Sequence, residues 1–323
     1  MKQGRNTGAA RAASDKGAGA AGEPNRLPCL SKPASAATFS AWTPGHPLAS
    51  GLHLVATPIG NLGDITLRAL WVLRSVDRIL CEDTRVTARL LSHYGIDKPL
   101  GPYHDHNADR VRPAVLAALR GGETLALVSD AGTPLVSDPG YKLVRDALAE
   151  GLPVTVAPGA SAALSGLILS GLPPDKFLFA GFLAPRSAAR RKALKAWTQL
   201  DATLVFYEGP SRLAASLADM AAVLGDRDAA ITRELTKRNE EVRRGRLATL
   251  AAHYHEAPPR GEVVVIVGPP EAIDAEAIDV DARLDALLAR ISLRDAVTEL
   301  AEETGLSRRV LYDRALARRP KSP

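Results

Sequence analysis

Four short segments hold side chains able to do chemistry on a polar or charged ligand. The densest is Ser129-Asp130-Ala131-Gly132-Thr133-Pro134-Leu135-Val136-Ser137-Asp138-Pro139-Gly140. Its small residues let a ligand approach the backbone, Thr133 and Ser137 offer hydroxyls, and Asp130 can accept hydrogen bonds from a ribose or an amine. The second, Cys81-Glu82-Asp83-Thr84-Arg85, sets two carboxylates beside an arginine. That trio suits handling a proton or a ribose, although a helix cap at Asp83 or Thr84, or a surface ion pair, would use the same residues. The third, Pro158-Gly159-Ala160-Ser161-Ala162-Ala163, is a turn of tiny side chains that fits a flat ring or, equally, close helix-sheet packing. The fourth is the loop from Thr57 and Pro58 to Asp64, with Gly60 and Gly63. It reads as a ligand loop or as a tight turn into a capped helix, and its lack of G-x-G-x-x-G spacing counts against a dinucleotide dehydrogenase.

Two further segments, Phe206-Tyr207-Glu208-Gly209-Pro210-Ser211-Arg212 and Glu234-Leu235-Thr236-Lys237, close apolar runs in the second half. His104-Asp105-His106-Asn107 invites a metal reading, but histidines at i and i+2 make a poor helical chelate, so no metal is expected. Cys29 and Cys81 are the only cysteines, which argues against a disulfide scaffold or a zinc site and fits a reducing cytoplasm. No apolar run approaches the ~18 residues of a membrane span.

These segments need elements to position them. Apolar runs at 53–57, 78–81, 124–129 and 154–157, with a weaker one at 99–102, alternate with helical periodicity over 67–75, 86–94, 110–120 and 143–150. Such alternation predicts a parallel sheet with covering helices, each reactive segment following the C-terminal end of a strand. Paired prolines at Pro173-Pro174 mark a linker, after which strands at 177–182, 203–207, 230–234 and 262–267 and helices at 188–199 and 212–224 predict a mixed sheet. The expected organisation is an extension over 1–50, α/β domains over 51–171 and 172–270, and a linker with a small helical unit over 271–323. Within that unit Ala301, Gly305, Leu306, Ser307 and Val310 have helix-turn-helix spacing.

The formal charge is +5, yet residues 1–50 hold six basic against two acidic residues, and residues 308–323 hold six against one. Nucleic-acid contact must therefore be argued from local clusters. One is Arg186, Arg190, Arg191, Lys192 and Lys195, a run without an acid; another includes Arg308 and Arg309. With aromatics only 4% of residues, recognition through shape and phosphate is expected over base stacking.

Taken together, ATPIGNLGDITLRAL, CEDTR, HDHN, SDAGTPLVSDPG, PGAS, FYEGPSR and ELTK, with a GE before the last apolar strand, resemble in order and spacing the small-subunit rRNA cytidine 2'-O-methyltransferases of the tetrapyrrole-methylase superfamily. The resemblance spans residues 51 to about 270 and extends into the helical unit. It implies two α/β domains, S-adenosylmethionine as methyl donor in the cleft between them, 16S rRNA of the small ribosomal subunit as substrate, and a homodimer. Donor contacts implied by motif are Pro58, Asp130, Gly132, Thr133, Pro158, Gly159, Ser161, Ala162, Tyr207, Leu235, Gly261 and Glu262. The candidate bases for the acceptor hydroxyl are Glu82, Asp83, His104 and, with a depressed pKa, Lys237; the Glu82-Asp83 pair is favoured for proton or ribose handling, with Arg85 and Lys237 on phosphate or in ion pairs. Two rivals stay open: a small-molecule methyltransferase of the same fold, which has no need of the basic run, and a nucleic-acid-binding regulator, which has no need of the dense loops.

Overall fold

The computed structural model describes residues 47–271, 280–304 and 306–318. The extension up to residue 46 with Cys29, the spacer at 272–279, and Gly305 of the helical unit lie outside the described residues.

The first sheet has five parallel strands, β1 (Gly51–Val55), β2 (Arg78–Cys81), β3 (Leu100–Pro102), β4 (Thr124–Val128) and β5 (Val154–Ala157), in the order β3-β2-β4-β1-β5. Strands buried on both faces need covering layers. Helices α1 (Leu67–Ser75) and α2 (Thr84–His93) supply one through Leu70, Leu73 and Leu91, while α3 (Ala108–Arg120) and α4 (Tyr141–Ala149) supply the other through Val115, Leu119 and Leu143. The chain leaves β1 toward β2 and leaves β4 toward β5, so the winding reverses between neighbouring β1 and β4. Ligands bind outside the carboxyl ends of strands at such a point.

The second sheet, in the order β6-β7-β10-β8-β9, is mixed, as expected. Its strands are β6 (Phe177–Phe182), β7 (Thr203–Glu208), β8 (Asp228–Arg233), β9 (Glu241–Arg246) and β10 (Val263–Val267); only β6 and β7 pair in parallel. One face is covered by α6 (Ser187–Leu194), α7 (Leu213–Leu224) and α8 (Leu247–Glu256), around Phe206, Leu217, Met220 and Tyr254. Strand β9 and helix α8 were not anticipated.

The other face is covered by α5 (Ala162–Ser170), whose Ala163 and Leu167 pack with Val205, Ala230, Val264 and Ile266. Although α5 precedes the Pro173-Pro174 linker, it lies on the second sheet. Close approach is possible because Gly166 presents no side chain: a Cβ there would sit 3.1 Å from Thr232 Oγ1 and 3.3 Å from Ile266 and Val264. Helices α9 (Val280–Leu288), α10 (Leu293–Thr304) and α11 (Arg308–Arg318) form a separate core around Leu284, Val297, Leu300 and Leu311. Ser307 caps α11, its Oγ accepting from the Val310 amide. No described helix is long and apolar enough to cross a membrane.

Candidate active site

The loops after β1 and β4 are tied to each other where the winding reverses. Thr57 and Gly132 exchange backbone hydrogen bonds, the Thr57 amide donating to the Gly132 carbonyl at 2.8 Å and the return bond measuring 3.1 Å. The Thr57 hydroxyl also donates to the Ser129 carbonyl. Beyond this junction lies a cavity of about 320 Å³ between the two sheets, a size within the range of small-molecule sites.

Of the twelve donor contacts implied by motif, Gly132, Thr133, Ser161, Ala162, Tyr207, Leu235, Gly261 and Glu262 line this cavity. Pro58 and Asp130 line an adjoining one with Lys237, and Pro158 and Gly159 line neither. Asp130 Oδ1 accepts the Asp83 amide at 3.0 Å, linking the loops after β2 and β4. Ser161 caps α5 through its hydroxyl while facing the cavity.

The cavity combines apolar walls at Ile59, Val136, Leu235 and Val264 with few polar groups, the pattern of a site for a mostly apolar body with a polar edge. One lining residue, Thr232, keeps a buried hydroxyl with no hydrogen-bond partner, which lies under α5 at Gly166. Burying a hydroxyl unpaired costs about 1–3 kcal/mol. Gly261 leaves the loop before β10 at φ +88°, and a Cβ there would stand 2.3 Å from Glu234. These features suit the adenine, ribose and amino-acid parts of S-adenosylmethionine. Thr232 was missed by sequence reasoning; its only signal is a threonine directly after the apolar Ala229-Ala230-Ile231.

The candidates for proton handling separate in the structure. Asp83 is the N-cap of α2: its carboxylate accepts from the Arg85 amide and from the Arg85 guanidinium, at 2.6 to 3.2 Å. Those bonds, the side-chain bond to Arg85 foremost, hold its pKa down at about 2. Asp83 is therefore a spent cap, which corrects its assignment as a base, and Arg85 is its exposed partner. Lys237 is clamped by Glu262 at 2.8 Å and Glu234 at 2.9 Å. Burial pulls the lysine pKa down, but the bonds to Glu262 and Glu234 outweigh it and the net shift is upward. An ammonium held this way is no base either.

Glu82 behaves differently. Burial, then repulsion from Asp130 and Asp105, raises its pKa, with His104 acting against the shift. His104 is fixed by a turn in which Asn107 Oδ1 accepts the His104 amide, and its own Nδ1 is buried without a partner. Asp138, not singled out from the sequence for chemistry, lines the cavity with its pKa raised to about 6 by burial and then by the Glu82 charge.

The first basic cluster needs one correction. Arg190 is buried, not displayed to RNA: its guanidinium bonds Asp219 of α7 at 2.6 and 2.8 Å and donates to the Ala184 and Pro185 carbonyls. Arg191 also reaches Asp219, at 3.5 Å, so the acid missing from the run is supplied by another helix. Arg186, Lys192 and Lys195 are exposed along α6, and Arg308 and Arg309 along α11.

Comparison with known proteins places these features in context. The family model described as "Tetrapyrrole (Corrin/Porphyrin) Methylases" matches residues 51–251, and that described as "RsmI C-terminal HTH domain" matches residues 274–319. Proteins named "Ribosomal RNA small subunit methyltransferase I" are similar along most of the chain. The one from Mesorhizobium japonicum is 52% identical over 275 residues, covering 84% of this chain and 94% of its own length. The one from Pseudomonas aeruginosa is 46% identical over 285 residues, covering 85% and 99%. Among solved structures, the methyltransferase CobJ aligns with a TM-score of 0.53 at 20% identity, covering 69% of this chain and 95% of its own. A diphthine synthase aligns at 0.53 and 17% identity, covering 67% and 89%. At those identities the likeness speaks for the fold alone.

Proposed function

Since the chain belongs to the ribosomal RNA small subunit methyltransferase I family of tetrapyrrole methylases, we propose that it methylates the ribose 2'-hydroxyl of a decoding-centre cytidine in 16S rRNA, with S-adenosylmethionine as donor. The observation that carries this reading is the cavity at the winding reversal, where the SDAGTP and PGAS loops of one sheet meet Tyr207, Leu235 and Glu262 of the other. When bound, the donor supplies a methyl group on a sulfonium, open to in-line displacement. Thr133 and Ser161 orient the polar edge of the bound molecule, and Ile59, Val136 and Leu235 exclude water from it. Tyr207 stands over the cavity in edge contact with Phe179 and Phe182, which fixes its ring. Alignment of this kind is worth up to about 7–11 kcal/mol of a displacement barrier.

Arg186, Arg191, Lys192 and Lys195 on α6, with Arg308 and Arg309 on α11, are read as phosphate contacts, which position RNA without reading its sequence. The protein is further read as a cytoplasmic homodimer. Support for the dimer comes from exposed apolar side chains: the edge strand β5 exposes Val156, and α5 exposes Leu164, Leu169 and Ile168, the last to 75%.

The deciding experiment transfers labelled methyl from S-adenosylmethionine to purified small ribosomal subunits lacking this modification, followed by digestion to nucleosides. Label in 2'-O-methylcytidine, lost with Asp130→Ala, is the expected result. A wild-type protein that binds S-adenosylhomocysteine yet leaves RNA unlabelled would overturn the substrate and favour a small-molecule acceptor.

A further inference from the structure

We propose that the Asp138 carboxylate is the group that takes the proton from the acceptor hydroxyl as it is methylated. This deepens the reading above and rests on it.

Three carboxylates line the cavity: Asp138, Glu208 and Glu262. Glu208 is consumed by structure, accepting from the Gly209 amide, the Ser216 hydroxyl and the Arg212 guanidinium. Glu262 pairs with Lys237, and its side chain is 74% exposed. Asp138 alone of the three has no cation paired with it among the described residues; its hydrogen-bond partner is the neutral Ser129 hydroxyl. A base must keep a free lone pair, and of the cavity carboxylates among the described residues only Asp138 has no cation bound to it.

Its surroundings tune it for the task. Glu82 from the end of β2, Asp105 from the loop after β3 and Asp130 from the loop after β4 all repel its charge, while His104 faces Glu82. From the second sheet the facing group is the neutral Tyr207 phenol of β7. The segment that presents Asp138 is held in a costly shape, with Leu135 at φ +73° and Ser137 at φ +66°, both in the left-handed region.

The step balances without a further reagent. The hydroxyl oxygen bonds the methyl carbon as the carbon–sulfur bond breaks, and that electron pair stays on sulfur, turning the sulfonium into a neutral thioether. The hydroxyl proton passes to an Asp138 oxygen and from there to solvent.

The test compares single-turnover methylation of small subunits across pH with calorimetric binding of S-adenosylhomocysteine. In the wild type the rate climbs about tenfold per pH unit below an inflection near 6 and then levels. Asp138→Asn is expected to lose roughly 10²- to 10⁴-fold in rate and the inflection with it, while binding S-adenosylhomocysteine within about threefold of wild type. Glu82→Gln, by removing a repelling charge, moves the inflection to lower pH. A wild-type profile in Asp138→Asn, a loss of binding large enough to explain its loss of rate, or an unmoved inflection in Glu82→Gln would each overturn the proposal. Should Asp138→Asn not fold, the Glu82→Gln profile decides. A wild type that never labels RNA removes the parent reading; a wild type that labels RNA independently of Asp138 removes only this one.

Discussion

Arg190 shows how much a single side chain's role depends on what lies beside it. With 4% of its side chain exposed and its partner Asp219 at 11%, it forms a buried ion pair at the junction of α6 and α7. Removing one member strands the other, at a cost of about 3–5 kcal/mol. Asp219→Ala should therefore lower urea-unfolding stability by that amount, and charge reversal at Lys192 and Lys195 should weaken RNA binding without touching it. The sequence hid this, since α6 reads as a basic run and Asp219 sits 29 residues on. Asp138 was equally illegible: its raised pKa comes from burial and then from the Glu82 charge, neither of which its own segment announces. Its raised pKa also bears on stability. The folded state holds the proton to higher pH than the unfolded chain, so stability falls as pH rises from about 4 to about 6. Asp138→Asn lacks that loss. It should melt above wild type at pH 7.5 and level with it at pH 4, as scanning calorimetry would show.

At the scale of elements, the parallel sheet was legible because its central strands are buried on both faces and so read as mostly apolar runs closed by a turn. The reactive segments follow these strands, which is why the site's location could be read before its geometry. Strand β9 escaped because Glu241-Val242-Arg243-Arg244-Gly245-Arg246 is a charged edge strand, set by its hairpin return from β8 and not by any periodicity. Its Arg244 works structurally, donating to the Ser170 and Leu169 carbonyls at the end of α5. Helix α5 itself depends on Gly166. Gly166→Val would push methyl groups into Thr232, Val264 and Ile266, an overpacking worth about 1–3 kcal/mol. A lower urea midpoint with an unchanged slope would register it, and donor affinity should fall too, because Thr232 also borders the cavity.

Across the whole molecule, the exposed apolar side chains of β5 and α5 give the proposed dimer a testable seam. Ile168→Glu should convert a dimer into monomers in sedimentation velocity, and equal coefficients for both proteins would discard that surface. The placement of α5 has a mechanical side as well. Being fastened to the second sheet, it moves with that sheet, so the paired prolines after it cannot serve as the hinge between the two halves. A pivot would fall instead at Pro158–Ala160, where the chain passes from β5 into α5, and the Asn61 amide ties the two halves by donating to Thr236 Oγ1. Opening and closing would thus bend the backbone directly before Ser161, which lines the cavity. Amide hydrogen exchange should slow at Gly159–Ser161 and Asn61 when S-adenosylhomocysteine binds, while residues 172–176 keep their free-state rates.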